Sequence, residues 1–232
     1  MSSTWYTAPI LAGKHVRLEP LTVDHADGLF AATRNPDIWT WLLVHQPSTS
    51  EDMRTWVTSR LSTDDVIAFA QIDTRTGEIA GTTSYYDIDP KHRSLAIGYT
   101  WIGTAWQRTG LNSEAKLMLL EHAFDSLGAV RVVLQNDSRN LRAQHAIERL
   151  GVRYEGVLRQ HRTRPDGTLR DTVIYSVLDT EWPGVAAHLR ARLAEPVGAS
   201  RPLDERPCGA DDFTSGCVYE GSVGGDGLSA SG

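Results

Sequence analysis

One stretch constrains what this chain can fold into more than any other. It is Trp106-Gln107-Arg108-Thr109-Gly110-Leu111-Asn112-Ser113-Glu114-Ala115, set between an apolar strand and an amphipathic helix. Before it, Ser94 to Ile102 is rich in residues that favour extended chain. After it, Ala115, Leu117, Met118, Leu119, Ala123 and Phe124 recur at helical spacing. A strand that turns through a glycine into a helix leaves several backbone N–H groups aimed at one spot. Those donors add to the positive end of the helix dipole and make an anion site. The lysine of the G-x-x-x-x-G-K-[ST] loop is absent after the glycine. A pyrophosphate fits this loop; the equipment for cleaving one is missing.

Further along, Val130 to Asn136 reads as a buried strand, and Asp137 to Gly151 as a capped helix closed by glycine. Together the two segments resemble the acyl-CoA-binding core of the GNAT superfamily of N-acyltransferases. The match is to its [RQ]-x-x-G-x-[GA] loop at Gln107–Asn112 and to its N-x-x-A…G helix at Asn140, Ala143 and Gly151. The branch it most resembles is that of ribosomal-protein N-terminal acetyltransferases, through Gly98-Tyr99-Thr100-Trp101, Glu155-Gly156-Val157-Leu158-Arg159 and Asp166-Gly167…Asp171. Around these the sequence predicts strands at Val16–Pro20, Val66–Asp73 and Ile79–Ile88, and a final hairpin of Tyr154–Thr163 with Leu169–Leu178. Helices are expected from Val23 to before Asn35-Pro36, after a cap at Ser48, Thr49 or Ser50, and over Trp182–Leu193.

The resemblance implies a mixed α/β (α+β) fold: a mostly antiparallel central sheet, splayed between its middle strands, with helices on both faces. It implies attack of a primary amine on the thioester of acetyl-CoA or another acyl-CoA, with no metal. The backbone at Trp101 and Ile102 would meet the acyl end. The amides of Gln107, Arg108, Thr109, Gly110, Leu111, Asn112 and Ser113 would cradle the pyrophosphate. Asn136 and Asn140 would face the pantetheine. Arg139 and Arg142 either approach the nucleotide phosphates or are solvated helix surface. Trp39, Trp41, Tyr85 and Tyr86 are the candidate walls of the acceptor groove, with packing onto the core as the other reading for at least one tryptophan. Where relatives place an acid, a base or a serine, this chain has Ile147, Ala96 and Ala143. Asn112 replaces the loop's last small residue and either caps the helix or crowds a phosphate. The remaining catalytic candidates are Tyr154, as donor to the leaving sulfur, and Asp87, which either handles a cationic amine or caps a turn. His145 and His161 read better as surface or packing residues, and Asp171 is open between a structural hydrogen bond and catalysis.

The acceptor is left open between a small-molecule amine and a protein N-terminus or lysine. A succinyl donor is an alternative, with Arg93 or His92 to meet its carboxylate. Two competing classes are a CoA-binding regulatory module without turnover and an oligomeric scaffold without ligand. Of the net charge of −6, the stretch from Pro196 carries −4, with two arginines against six acids. The body is therefore near neutral, which argues against bulk nucleic-acid binding. No apolar run reaches membrane-spanning length and no signal pattern opens the chain, so the expectation is a cytoplasmic protein, with a homodimer possible. Cys208 and Cys217 both fall in that last stretch and match no metal pattern. The organisation expected is an arm over 1–12, one acyltransferase domain over 13–195 and a disordered acidic tail over 196–232.

Overall fold

Runs of apolar and β-branched residues build the centre of a sheet, and the computed structural model describes residues 4–195 around it. Its strands are β1 (Leu11–Ala12), β2 (Val16–Pro20), β3 (Ile67–Asp73), β4 (Ile79–Asp89), β5 (Ser94–Ile102), β6 (Arg131–Asp137), β7 (Arg153–Thr163) and β8 (Leu169–Leu178). They lie in the order β1-β2-β3-β4-β5-β6-β8-β7. Every neighbouring pair is antiparallel except β5 with β6. A parallel pair needs a crossover, which the helix after the glycine loop supplies. The mixed, mostly antiparallel sheet expected from the sequence is the one found.

Five helices cover it: α1 (Ala26–Ala32), α2 (Ser50–Leu61), α3 (Leu111–Glu121), α4 (Leu141–Glu148) and α5 (Trp182–Ala194). Thr49 caps α2 in a reciprocal box with Asp52, and Asn140 caps α4 through the amide of Ala143. A π-helical turn, His122–Ser126, extends α3. No helix among the described residues is long and apolar enough to cross a membrane.

The sheet separates two cores. The larger gathers Phe69, Tyr85, Ile97, Leu119, Leu134 and Trp182 under α3, α4 and α5. The smaller joins Leu29 of α1, Met53 and Val57 of α2, Trp39 and Trp101 over the small residues Ala68 and Ala70. Within the segment read as an arm, Trp5 is buried in the larger core and Leu11–Ala12 pairs with β2. The expected tail and both cysteines lie outside the described residues.

Irregularities interrupt the middle of the sheet, and two of them shape β5. β5 and β6 pair from Ser94 with Arg131 to Ile97 with Leu134, then part, so Gly98–Ile102 and Gln135–Asp137 face one another unpaired. Between Thr82 and Ser84 of β4, β5 runs from Trp101 to Gly98 and so holds one extra residue. This bulge puts Tyr99 at φ 48°, in the left-handed region.

Candidate active site

The parted strands open a slot whose walls are backbone, and the glycine loop closes one end of it. Arg108 and Gly110 both take left-handed conformations, at φ 64° and 85°. That winding turns successive amides to the same side. Those of Arg108, Thr109 and Gly110 have no acceptor of normal geometry among the described residues. Those of Leu111, Asn112 and Ser113 are the orphan first turn of α3. The loop is braced from behind. Thr109 Oγ1 donates to the carbonyl of Trp106 at 2.6 Å, Gln107 Nε2 to that of Ile102 at 3.1 Å, and Arg142 Nη2 to Gln107 Oε1. Arg142 is thus tied to the loop, whereas Arg139 is exposed at the turn before α4.

Glu114 anchors α3 to the sheet. Its carboxylate accepts from the amides of Lys14, His15 and Val16 at 2.9, 2.5 and 2.9 Å. Asn112 does not cap the helix. No side chain caps α3, and Asn112 Oδ1 is buried without a partner. Asn136 Oδ1, at the slot's other wall, is likewise buried and unpartnered, while its Nδ2 reaches the carbonyl of Asn140 at 3.4 Å.

Beneath the bulge lies a group that pattern reasoning missed. Lys116 of α3 is buried, and its Nζ donates to Thr100 Oγ1 at 2.6 Å and to Thr83 Oγ1 at 3.1 Å. No carboxylate is bonded to it, and burial alone brings its pKa down to about 7. The helical periodicity marked 116 as an ordinary polar position and held no signal for this.

The aromatic candidates divide between the cores. Tyr85 is 1% exposed, and its hydroxyl donates to the carbonyl of Leu119 at 2.6 Å, so it is a packing residue and not a groove wall. Trp39 is corrected in the same way. Its indole N–H donates to the carbonyl of Thr33, and its ring packs on Trp56 and Trp101. Trp101 is itself buried, with Nε1 unpartnered, so what it offers the slot is backbone. Trp41 is half-buried in the connection after Trp39. Tyr86 points to the other face from Tyr85. It lies edge-on to Tyr99 and over Gly98, where a Cβ would come within 2.7 Å of the Tyr86 ring. The strand needs glycine there to let the ring approach.

Tyr154 and Asp87 are not brought together. Tyr154 is exposed on β7, packed against Tyr175, two strands out from β6 or ~10 Å at ordinary strand spacing. Asp87 is exposed at φ 49° beside Tyr86. Ala96 is buried and Ile147 packs on the larger core, and neither side chain can give or take a proton. His92 and Arg93 lie in the β4–β5 turn, His92 bonded to Asp89 at 2.6 Å. That turn is five residues from Gly98, ~16 Å of extended chain, at the end of β5 away from the slot. They cannot meet an acyl tip. Asp171 accepts from the amide of Gln160 at 2.6 Å, a structural bond.

Comparison with known proteins agrees with this geometry. A family model described as an acetyltransferase (GNAT) domain matches residues 15–153. The chain is 32% identical over 108 residues to the "Putative ribosomal N-acetyltransferase YdaF" of Bacillus subtilis (strain 168), a match covering 47% of this chain and 58% of that protein. A GCN5-related N-acetyltransferase from Brucella melitensis, solved as a crystal structure, is 36% identical with a TM-score of 0.77, over 80% of this chain and 86% of that one. At 17% identity, the fold alone is shared with a spermidine N-acetyltransferase from Vibrio cholerae in complex with CoA and spermine. The TM-score is 0.61 over 74% of this chain and 99% of that one. With the family model spanning more than half its length, the chain belongs to the GNAT family and is an N-acetyltransferase.

Proposed function

We propose that this protein transfers an acetyl group from acetyl-CoA to a primary amine by direct attack on the thioester. The observation that carries the reading is the slot between β5 and β6 opening beside the free amides of the glycine loop. An extended amide-bearing chain fits unpaired strand backbone, and a pyrophosphate fits the left-handed turn at the start of α3.

In the transfer, the amine nitrogen bonds to the thioester carbon, and the C–S bond breaks as the sulfur takes the electron pair. The amine gives up one proton and the sulfur ends as a thiol. An alkyl thiol has a pKa near ~8.5, so the sulfur leaves readily as thiolate. That makes a strong acid at Ile147 dispensable, and we assign no such role to Tyr154. Asp87 is exposed next to Tyr86 and suits reception of the ammonium before it loses its proton to water. The backbone of Gly98–Ile102, bulged and held from below by the bond from Lys116 to Thr100, supplies the donors for the developing oxyanion.

Calorimetric titration with acetyl-CoA, with thiol release measured over a panel of amines, tests the reading. Binding and turnover are expected; absence of binding would overturn it. The edge strand β7 leaves Val157 and Leu158 exposed, which supports pairing between two copies, to be checked by light scattering.

A further inference from the structure

Across the slot from the larger core lies a charge arrangement that the transfer itself does not use. Asp137, at the end of β6, is buried, and Arg164 takes both its oxygens, at 2.8 and 2.9 Å. Arg170 of β8 keeps only 11% of its side chain exposed yet comes no nearer to the same carboxylate than 4.0 Å. Its Nε makes no hydrogen bond. Two buried guanidiniums thus share one carboxylate that the first already fills. Arg162, paired with Arg170 across β7 and β8, is exposed and has no carboxylate partner among the described residues. Burial lowers the pKa of Arg170, with Asp137 opposing, as expected of an incompletely neutralised cation.

The position of this excess charge matters more than its size. Arg170 and Arg162 both act electrostatically on Tyr86, as does Asp87. Tyr86 covers Gly98, the first residue of β5 beyond the last paired one. His161, with Nδ1 buried and unpartnered, feels Arg162, Arg170 and Asp87 as well. Around one ring at the point where β5 and β6 part, therefore, act an exposed carboxylate and two under-neutralised guanidiniums. An ammonium and a carboxylate on one small molecule match that pair of charges. A guanidinium also offers a carboxylate two parallel hydrogen bonds, which no amide or hydroxyl acceptor can fill as well.

Resting on the acetyl-transfer reading, we infer that Arg170, with Arg162, binds a carboxylate carried by the amine acceptor. The acceptor class is then amino-acid-like: a primary amine with a carboxylate a few bonds away, its nitrogen toward Asp87. A protein N-terminus, whose nearest carboxyl has become a peptide carbonyl, lacks the group that Arg170 would take.

The test is thiol release by the full chain with acetyl-CoA and matched acceptor pairs, a series of free amino acids and their carboxamides. Each pair is read at several pH values so that the different amine pKa values are separated from recognition. The expected result is a preference for the acids of at least tenfold in kcat/KM. Arg170→Gln should collapse that ratio, mainly by raising KM for the acids. Because Arg170 also lies beside Asp137, a melting curve accompanies it, and exposed Arg162→Gln is the second variant, expected to lower the ratio several-fold. Equal use of acids and carboxamides would overturn the carboxylate subsite and leave acetyl transfer standing. So would a preference for succinyl-CoA that Arg170→Gln abolishes, since it would move the carboxylate to the donor. No thiol release from any amine would instead overturn the transfer reading.

Discussion

Gly110 holds φ at 85° with nothing nearer to its missing Cβ than Leu193 Cδ2 at 3.8 Å. Conformation and charge, not space, therefore make glycine the fit residue there. Gly110→Asp strains the turn and sets a carboxylate among amides meant for phosphate. Acetyl-CoA affinity should fall at least about tenfold by calorimetry while the melting curve stays cooperative; unchanged affinity would show that the anion binds elsewhere. Asn140 divides its side chain between two tasks. Its Oδ1 caps α4 at 3.0 Å from the amide of Ala143, and on the proposed acetyl-transfer reading its Nδ2 would donate to the pantetheine. Asn140→Ala should cost about 1 kcal/mol of stability through the cap and weaken acetyl-CoA several-fold, a double loss that a cap alone would not produce.

At the scale of elements, the joint between α3 and the β1–β2 turn rests on one carboxylate. Glu114→Ala leaves the amides of Lys14, His15 and Val16 without an acceptor, the last of them buried. A loss of about 2–4 kcal/mol is expected from denaturant midpoints, because unsatisfied buried donors cost more than a bond to water. Glu114→Gln, keeping one oxygen, should recover part of it. Strands β2 to β8 and the five helices were legible in the sequence because apolar period, caps and turn residues are local signals. The consecutive Tyr85 and Tyr86 mark where that legibility ends. Alternation sends one to each face, but which ring is sealed in the core follows from the Thr82–Ser84 bulge and the cover of α3. The Arg162–Arg170 neighbourhood was no more readable. It depends on β7 taking four steps, from Leu158 to Arg162, where β8 takes two, from Thr172 to Arg170.

For the whole molecule, ionisable groups with displaced pKa values set a stability profile with two limbs. Lys116, brought down to about 7, binds fewer protons folded than unfolded between that value and its ordinary 10.5. Stability therefore rises with pH across that window, by at most ~1.4 kcal/mol per unit. On the acid side, the Arg131 hydrogen bond and charge hold Glu155 down to about 2. At Asp137, burial works upward, but Arg164 and the Arg139 amide outweigh it and the pKa is lowered. Carboxylates held down in the fold contribute above their unfolded values near ~4 and lose that contribution as pH falls further. Melting temperatures from pH 3 to 10 should show both limbs, and Lys116→Met should flatten the alkaline one alone. The two cores carry one more consequence. Every helix residue of the smaller core comes from a single run of chain, Leu21 to Val57, seated on Ala68, Ala70 and Trp101. That run works as a cassette: of the residues it is seated on, only Trp101 belongs to the donor slot built from β5, β6 and α3, so a change inside it reaches the slot through that one ring.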